Sequence, residues 1–254
     1  MDRTPYLLPF TLNQVPAWRC PVCQVGHLTL AKESLVNKET AESKKDQTHD
    51  DWEPDWIRSV FACVFVCSDS GCASPVACSG SGRVDSFEYE DEEFGLAQQS
   101  EELYAPMHFN PPLVLMDIPK KCVAAVADQV RESFKLFFLD PGAAVNSLRA
   151  AVEALLTDLK VKRFVQTRNG RKSLSLHARI GLLPAKYDSL KDLLLAIKWL
   201  GNAGSHSGTE VSTSDMRTTF DLLEHVLSEV YEQKTKKLKA VAKSVNKKKG
   251  PVRK

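Results

Sequence analysis

Lys198, Asn202 and His206 set a cation, an amide and an imidazole at i, i+4 and i+8 of the stretch Ile197-Lys198-Trp199-Leu200-Gly201-Asn202-Ala203-Gly204-Ser205-His206. If the helix expected over Asp188 to about Leu200 continues, the three share one flank beside the apolar stripe of Leu190, Leu193, Leu194 and Ile197. A cation that can hold a phosphate, next to a histidine that can move a proton, is a start for a phosphodiester site. The same residues also suit a helix end. Gly201 and Gly204 can cap it, a histidine in the last turn complements the dipole, and asparagine tolerates the left-handed position. Arg149 and Glu153 stand one turn apart and form a natural ion pair. That pair either locks two helices together or, packed beside His206, lends a guanidinium to the site.

The cysteines point to different chemistry. Cys20-Pro21-Val22-Cys23 and Cys67-Ser68-Asp69-Ser70-Gly71-Cys72 are two pairs separated by a β-rich insert, the pattern of a zinc ribbon. Four thiolates close a tetrahedral site and leave no position for substrate, so this zinc would be structural. Pro21, Gly26 and Gly71 fit the turns. Cys63 or Cys78 could replace one ligand, and His27 lies near enough to stand in. Buried free thiols on a strand are the other reading, and they suit Cys63 and Cys122.

The chain must supply elements that hold these groups. Its 254 residues suffice for two modest domains. No apolar run approaches the roughly 18 residues of a membrane span. The first residues, Met-Asp-Arg-Thr-Pro-Tyr, lack the charged-then-apolar order of a signal peptide. With an odd cysteine count, that favours a metal site and free thiols in a reducing cytoplasm. The net charge of +2 hides an asymmetry, because Lys234 to Lys254 carries ten cations and no acid, leaving the rest near −8. An acidic run lies at Asp85 to Glu93. The tail could touch nucleic acid or simply be solvated.

Composition changes near residue 118, and the expected class is α+β. Residues 1–103 read as a small β-rich zinc-ribbon-like module with strands at Gly26 to Leu30, Val60 to Val66 and Val84 to Tyr89. Residues 37–55 read as a long polar loop and 104–118, rich in proline, as an extended connector. Residues 119–233 show helical periodicity, giving an antiparallel bundle of four or five helices before the basic tail 234–254. Asp140-Pro141 supplies a cap and a first-turn proline, Ser212 to Asp215 a capping box, and Lys160 to Lys172 a basic glycine-containing loop.

The helical half resembles the bacterial family called domain of unknown function 4145, itself similar to HEPN (higher eukaryotes and prokaryotes nucleotide-binding) domains. Three places carry the resemblance, across about residues 104 to 232: Tyr104-Ala105-Pro106 to Ile118-Pro119, Leu148-Arg149-Ala150-Ala151-Val152-Glu153, and Leu200-Gly201-Asn202-Ala203-Gly204-Ser205-His206. The resemblance implies a homodimer formed through the helical domain, binding RNA or another nucleic acid or a partner, with a role in defence or RNA metabolism. It also implies the possibility of metal-independent RNA cleavage. His206 would then transfer protons, Lys198 would take the family arginine's place on the phosphate, and Asn202 would orient it. Two departures stand out. Lysine lacks the planar fork that suits a phosphate, and seven residues separate Lys198 from His206, more than the family's arginine and histidine allow.

Overall fold

A computed structural model of the chain describes residues 2–91, 95–168, 170–204 and 210–250. The protein is mixed α+β and divides into two compact units, Asp2–Val114 and Leu115–Lys254.

The first unit is an antiparallel sheet of five strands: β1 (Leu28–Leu30), β2 (Val36–Glu39), β3 (Arg58–Cys67), β4 (Pro75–Asp91) and β5 (Gly95–Asn110). Their order is β1-β3-β4-β5, with β2 also pairing along β3. Period-two alternation makes β3 the spine: Ser59, Phe61, Cys63, Phe65 and Cys67 turn inward while the residues between them do not. On the inner face Phe10, Trp18, Phe61, Phe65, Tyr104 and Phe109 are all buried. Their rings meet mostly edge to face, Phe10 lying 5.2 Å from Phe65 and Trp18 5.3 Å from Phe109. Past Arg83, β4 pairs with β5 alone, out to Asp91 opposite Gly95.

Two expectations for this unit need correction. The polar stretch 37–55 is not a loop throughout: it holds the end of β2, the short helix α1 (Ala41–Asp46) and a turn at Pro54–Trp56. Thr40 caps α1 by accepting from the Ser43 amide. Residues 104–110 of the expected connector are the end of β5. Pro106 is tolerated because β5 is the sheet's edge strand, and it faces Gly80 at a register shift.

The second unit contains α2 (Ala124–Leu136), α3 (Pro141–Asp158), the hairpin β6 (Phe164–Thr167) and β7 (Gly170–Ser173), α4 (Leu176–Gly181), α5 (Lys191–Ala203), α6 (Thr213–Leu227) and α7 (Lys234–Lys248). Helix α3 is central, touching α2, α4, α5 and α6. Accordingly Ala144, Val145, Leu148, Ala151, Val152, Leu155 and Leu156 are buried around much of its circumference. Phe134, Phe137 and Phe220 close the core between α2 and α6. The expected caps form: Asp140 accepts from the Ala143 amide, and Ser212 with Asp215 completes a capping box.

Here the sequence reading is corrected at three places. The loop at Lys160 to Lys172 is an antiparallel hairpin, with Gln166 opposite Arg171. Helix α2 starts at Ala124 rather than at Pro119, because Pro119 to Cys122 forms a turn. The basic tail is itself helical over Lys234–Lys248, in addition to the five helices α2–α6 that lie within residues 119–233. Among the described residues no helix is long and apolar enough to cross a membrane.

Candidate functional site

Two tight turns bring the four candidate metal ligands together. Cys20 and Cys23 flank a turn in which the Gln24 amide donates to the Cys20 carbonyl, and Cys67 and Cys72 flank one closed by Asp69. Each turn ends in the left-handed region, at Gln24 (φ 61°) and Ala73 (φ 45°). The Sγ atoms of Cys20 and Cys72 lie 3.9 Å apart, those of Cys23 and Cys67 3.6 Å, and all four lie within 4.8 Å of one another. A tetrahedral ion with bonds of about 2.3 Å to sulfur needs edges of about 3.8 Å, so the cluster is compatible with zinc. Backbone amides of Val22, Gly26 and Asp69 each point at a sulfur from 3.4 Å, which favours thiolate. The amides of Gly26 and Val25 bring the Cys23 thiol down to about 7, whereas burial first of all raises Cys67 to about 12. Gly26 has no substitute here, since a Cβ would sit 2.5 Å from the Cys67 sulfur.

Cys63 and Cys78, considered as replacement ligands, stand outside this cluster. They face each other across β3 and β4, and both are buried. His27 is exposed and is not part of the cluster either.

The helical candidates fall into two groups. On α3, Arg149 Nη1 lies 2.7 Å from Glu153 Oε1, and its Nε donates to Asn146 Oδ1 at 3.3 Å. The crossing of α3 and α5 is close because Gly201 has no side chain: a Cβ there would lie 2.6 Å from the Cβ of Arg149. Gly142 and Gly204 meet backbone to backbone one step further along. Arg149 is thereby laid against the end of α5. On α5 itself, the Lys198 ammonium sits 3.0 Å from the centre of the neighbouring Trp199 ring. Asn202 is half-buried in the last turn. The helix ends at Ala203, where the Gly204 amide donates to Leu200 O and Asn202 O, so the i, i+8 stacking imagined for an unbroken helix is not provided by α5. His206 lies outside the described residues.

The sequence reading missed one site. A cleft of about 430 Å³ opens between the start of α2, the end of α3, Lys160, Arg163 and α4. Arg179 forms part of its wall, only 4% exposed. Its Nη1 donates to Glu153 O and its Nη2 to Thr157 Oγ1, but its Nε has no hydrogen-bond partner. Burial, and secondarily Arg163, depress its pKa. A signal was available: Arg179 falls on the stripe Leu176, Ile180 and Leu183, all of which are buried.

The protein is thus a β-sheet unit carrying a four-cysteine cluster, followed by a helical unit with two basic surface segments. Residues 8–109 match the family model described as Domain of unknown function (DUF8608), and residues 131–248 match that described as Domain of unknown function (DUF4145). The second match covers two of the three places that carried the resemblance, the Arg149–Glu153 helix and the glycine-asparagine segment, while Tyr104 to Pro119 lies outside it; the first match was not anticipated. No curated protein and no solved structure matches the chain.

Proposed function

We propose that the protein is a dimeric nucleic-acid-binding module, in which a zinc-ribbon-like unit stiffens the first half and a HEPN-like bundle carries the binding surface. The observation that supports this reading is the run Lys160 to Lys172, which has six cations, no acid and an exposed position on the helical unit. The cysteine cluster supports structural zinc held by Cys20, Cys23, Cys67 and Cys72. Bound there, the ion would tie both turns together and add on the order of 10 kcal/mol to folding. A role in defence or RNA metabolism follows from the family resemblance alone.

The test is a titration of the full-length protein against labelled RNA and DNA across a salt series. Binding whose logarithm falls linearly with the logarithm of salt is expected. Absence of binding at low salt overturns the reading and leaves a protein partner. Sedimentation should show a dimer, and a monomer at working concentrations would remove that part of the proposal.

A second reading is favoured by the Arg149–Gly201 contact. It is a metal-independent endoribonuclease in which His206 moves the proton while Lys198, Asn202 and Arg149, steadied by Glu153, hold the phosphate. RNA cleavage that persists in EDTA and is lost in His206→Ala would establish it. Cleavage unchanged in that variant would end it.

A further inference from the structure

We infer that the β6–β7 hairpin and the cleft at its base form a track for single-stranded nucleic acid. This rests on the nucleic-acid reading above and adds the surface and the class of ligand.

Charge makes the first part of the case. Lys160, Lys162, Arg163, Arg168, Arg171 and Lys172 are all exposed, and none forms an ion pair with a described residue. Surface cations on folded domains commonly find acids at helical or cross-strand spacing, as Arg131 does with Asp128 and Lys135 with Glu132 in this same unit. The hairpin offers no such acid, so its field is uncompensated and a polyanion is its natural complement.

Geometry makes the second part. In the β6–β7 register Phe164 faces Ser173 and Gln166 faces Arg171, which puts Phe164 and Arg171 on one face as diagonal neighbours. The Arg171 guanidinium carbon stands 3.8 Å from the centre of the Phe164 ring, and Phe164 is 37% exposed. A guanidinium stacked on an accessible aromatic ring at a surface offers a flat platform beside a charge. Unpaired bases stack on such a platform, whereas a duplex keeps its base faces covered.

The cleft supplies the third part. Arg163 leads directly into β6, lines the cleft, and lies 5.8 Å from the Phe164 ring, so platform and cleft are continuous. Within the cleft Lys160, Arg163 and buried Arg179 converge, and the Nε of Arg179 lacks a partner. The cleft's two acids are engaged with other groups: Glu153 with Arg149, and Asp158 with the Tyr231 hydroxyl. A backbone phosphate entering here would meet net positive charge, with the next base reaching Phe164.

The experiment measures binding of the full chain, by fluorescence anisotropy, to labelled single-stranded RNA, single-stranded DNA of the same sequence, and the corresponding DNA duplex. Each single strand is expected to bind more tightly than the duplex. The RNA and DNA arms show which sugar is preferred. Arg168→Glu/Arg171→Glu/Lys172→Glu should weaken single-strand binding by about a hundredfold or more at low salt and flatten the salt slope. Phe164→Ala should weaken it about tenfold with the slope unchanged, because stacking rather than charge is lost. Arg171→Lys, which keeps the charge, should fall between wild type and Phe164→Ala. All of these positions are exposed, and circular dichroism checks that each variant folds. If wild type binds but the triple variant binds equally well, the track is wrong and the function reading survives. If wild type binds none of the three, both fail. Tighter binding to duplex overturns the single-strand assignment.

Discussion

The two units hold themselves together by different means, and the difference decides which residues can be changed. In the sheet unit the aromatic cluster of Phe10, Trp18, Phe61, Phe65, Tyr104 and Phe109 fills one face of the sheet, while the turns bearing Cys20, Cys23, Cys67 and Cys72 bring four sulfurs within 4.8 Å of one another. In the helical unit one helix, α3, is buried on several sides by aliphatic residues, and no metal-ligand cluster occurs among its described residues. A unit stapled at one end should therefore fail by losing its staple. One built around a central helix should fail by losing volume.

The largest effect expected is on the first unit. On the proposal that the cluster holds zinc, chelation or Cys20→Ser should remove about one zinc per chain and unfold the cysteine turns, at a cost on the order of 10 kcal/mol. Three of the four tryptophans, Trp18, Trp52 and Trp56, belong to the sheet unit, with Trp18 fully buried, whereas Trp199 is 57% exposed on α5, so a red shift reports the sheet unit. Emission should shift red while helical circular dichroism is retained. A simultaneous loss of the helical signal would break the comparison, by showing that the two units unfold as one. Next in size is Leu148→Ala. Leu148 is fully buried on α3, and its truncation should cost about 2–5 kcal/mol. Thermal unfolding would show this on the helical transition, with zinc content unchanged.

How much of this could be read from the chain alone differs between the units for the same physical reason. Local signals were legible: the alternation in β3, the Asp140–Pro141 start of α3, the Ser212–Asp215 box, and the two cysteine pairs now found within 4.8 Å. Each needs only neighbours in sequence. The β6–β7 hairpin was illegible because arginine and lysine replace the apolar alternation that marks a strand. Tyr104 to Asn110 was obscured by Pro106, which reads as a breaker until the strand is seen to lie at an edge. The buried guanidinium of Arg179 was missed because its partners, Glu153 O and Thr157 Oγ1, come from another helix.

Smaller effects sharpen the picture of the α3–α5 contact. Gly201→Ala places a Cβ 2.6 Å from that of Arg149, so the helices must separate, at about 1–3 kcal/mol. Gly181→Ala is the matched control. Nothing lies within 4 Å of the Cβ it adds, and the substitution should be neutral or stabilising by about 0.5–1 kcal/mol. Equal losses at the two glycines would mean that the close crossing is not what Gly201 provides.

The smallest expected effect is also the most discriminating. Glu153→Gln removes the charge that faces Arg149 at 2.7 Å, but Glu153 is 46% exposed and Arg149 28%. An i,i+4 pair so open to solvent contributes about 0.3–0.5 kcal/mol, so the melting temperature should barely move. Glu153 also lines the cleft proposed for the phosphate. If the pair only locks helices, loss of its charge should therefore leave nucleic-acid binding unchanged or slightly tighter and any RNA cleavage unmoved. A weakening of tenfold or more in either, at unaltered stability, would show that the guanidinium of Arg149 acts on a ligand and that Glu153 positions it. That outcome would raise the α3–α5 crossing from a packing detail to the functional centre of the helical unit.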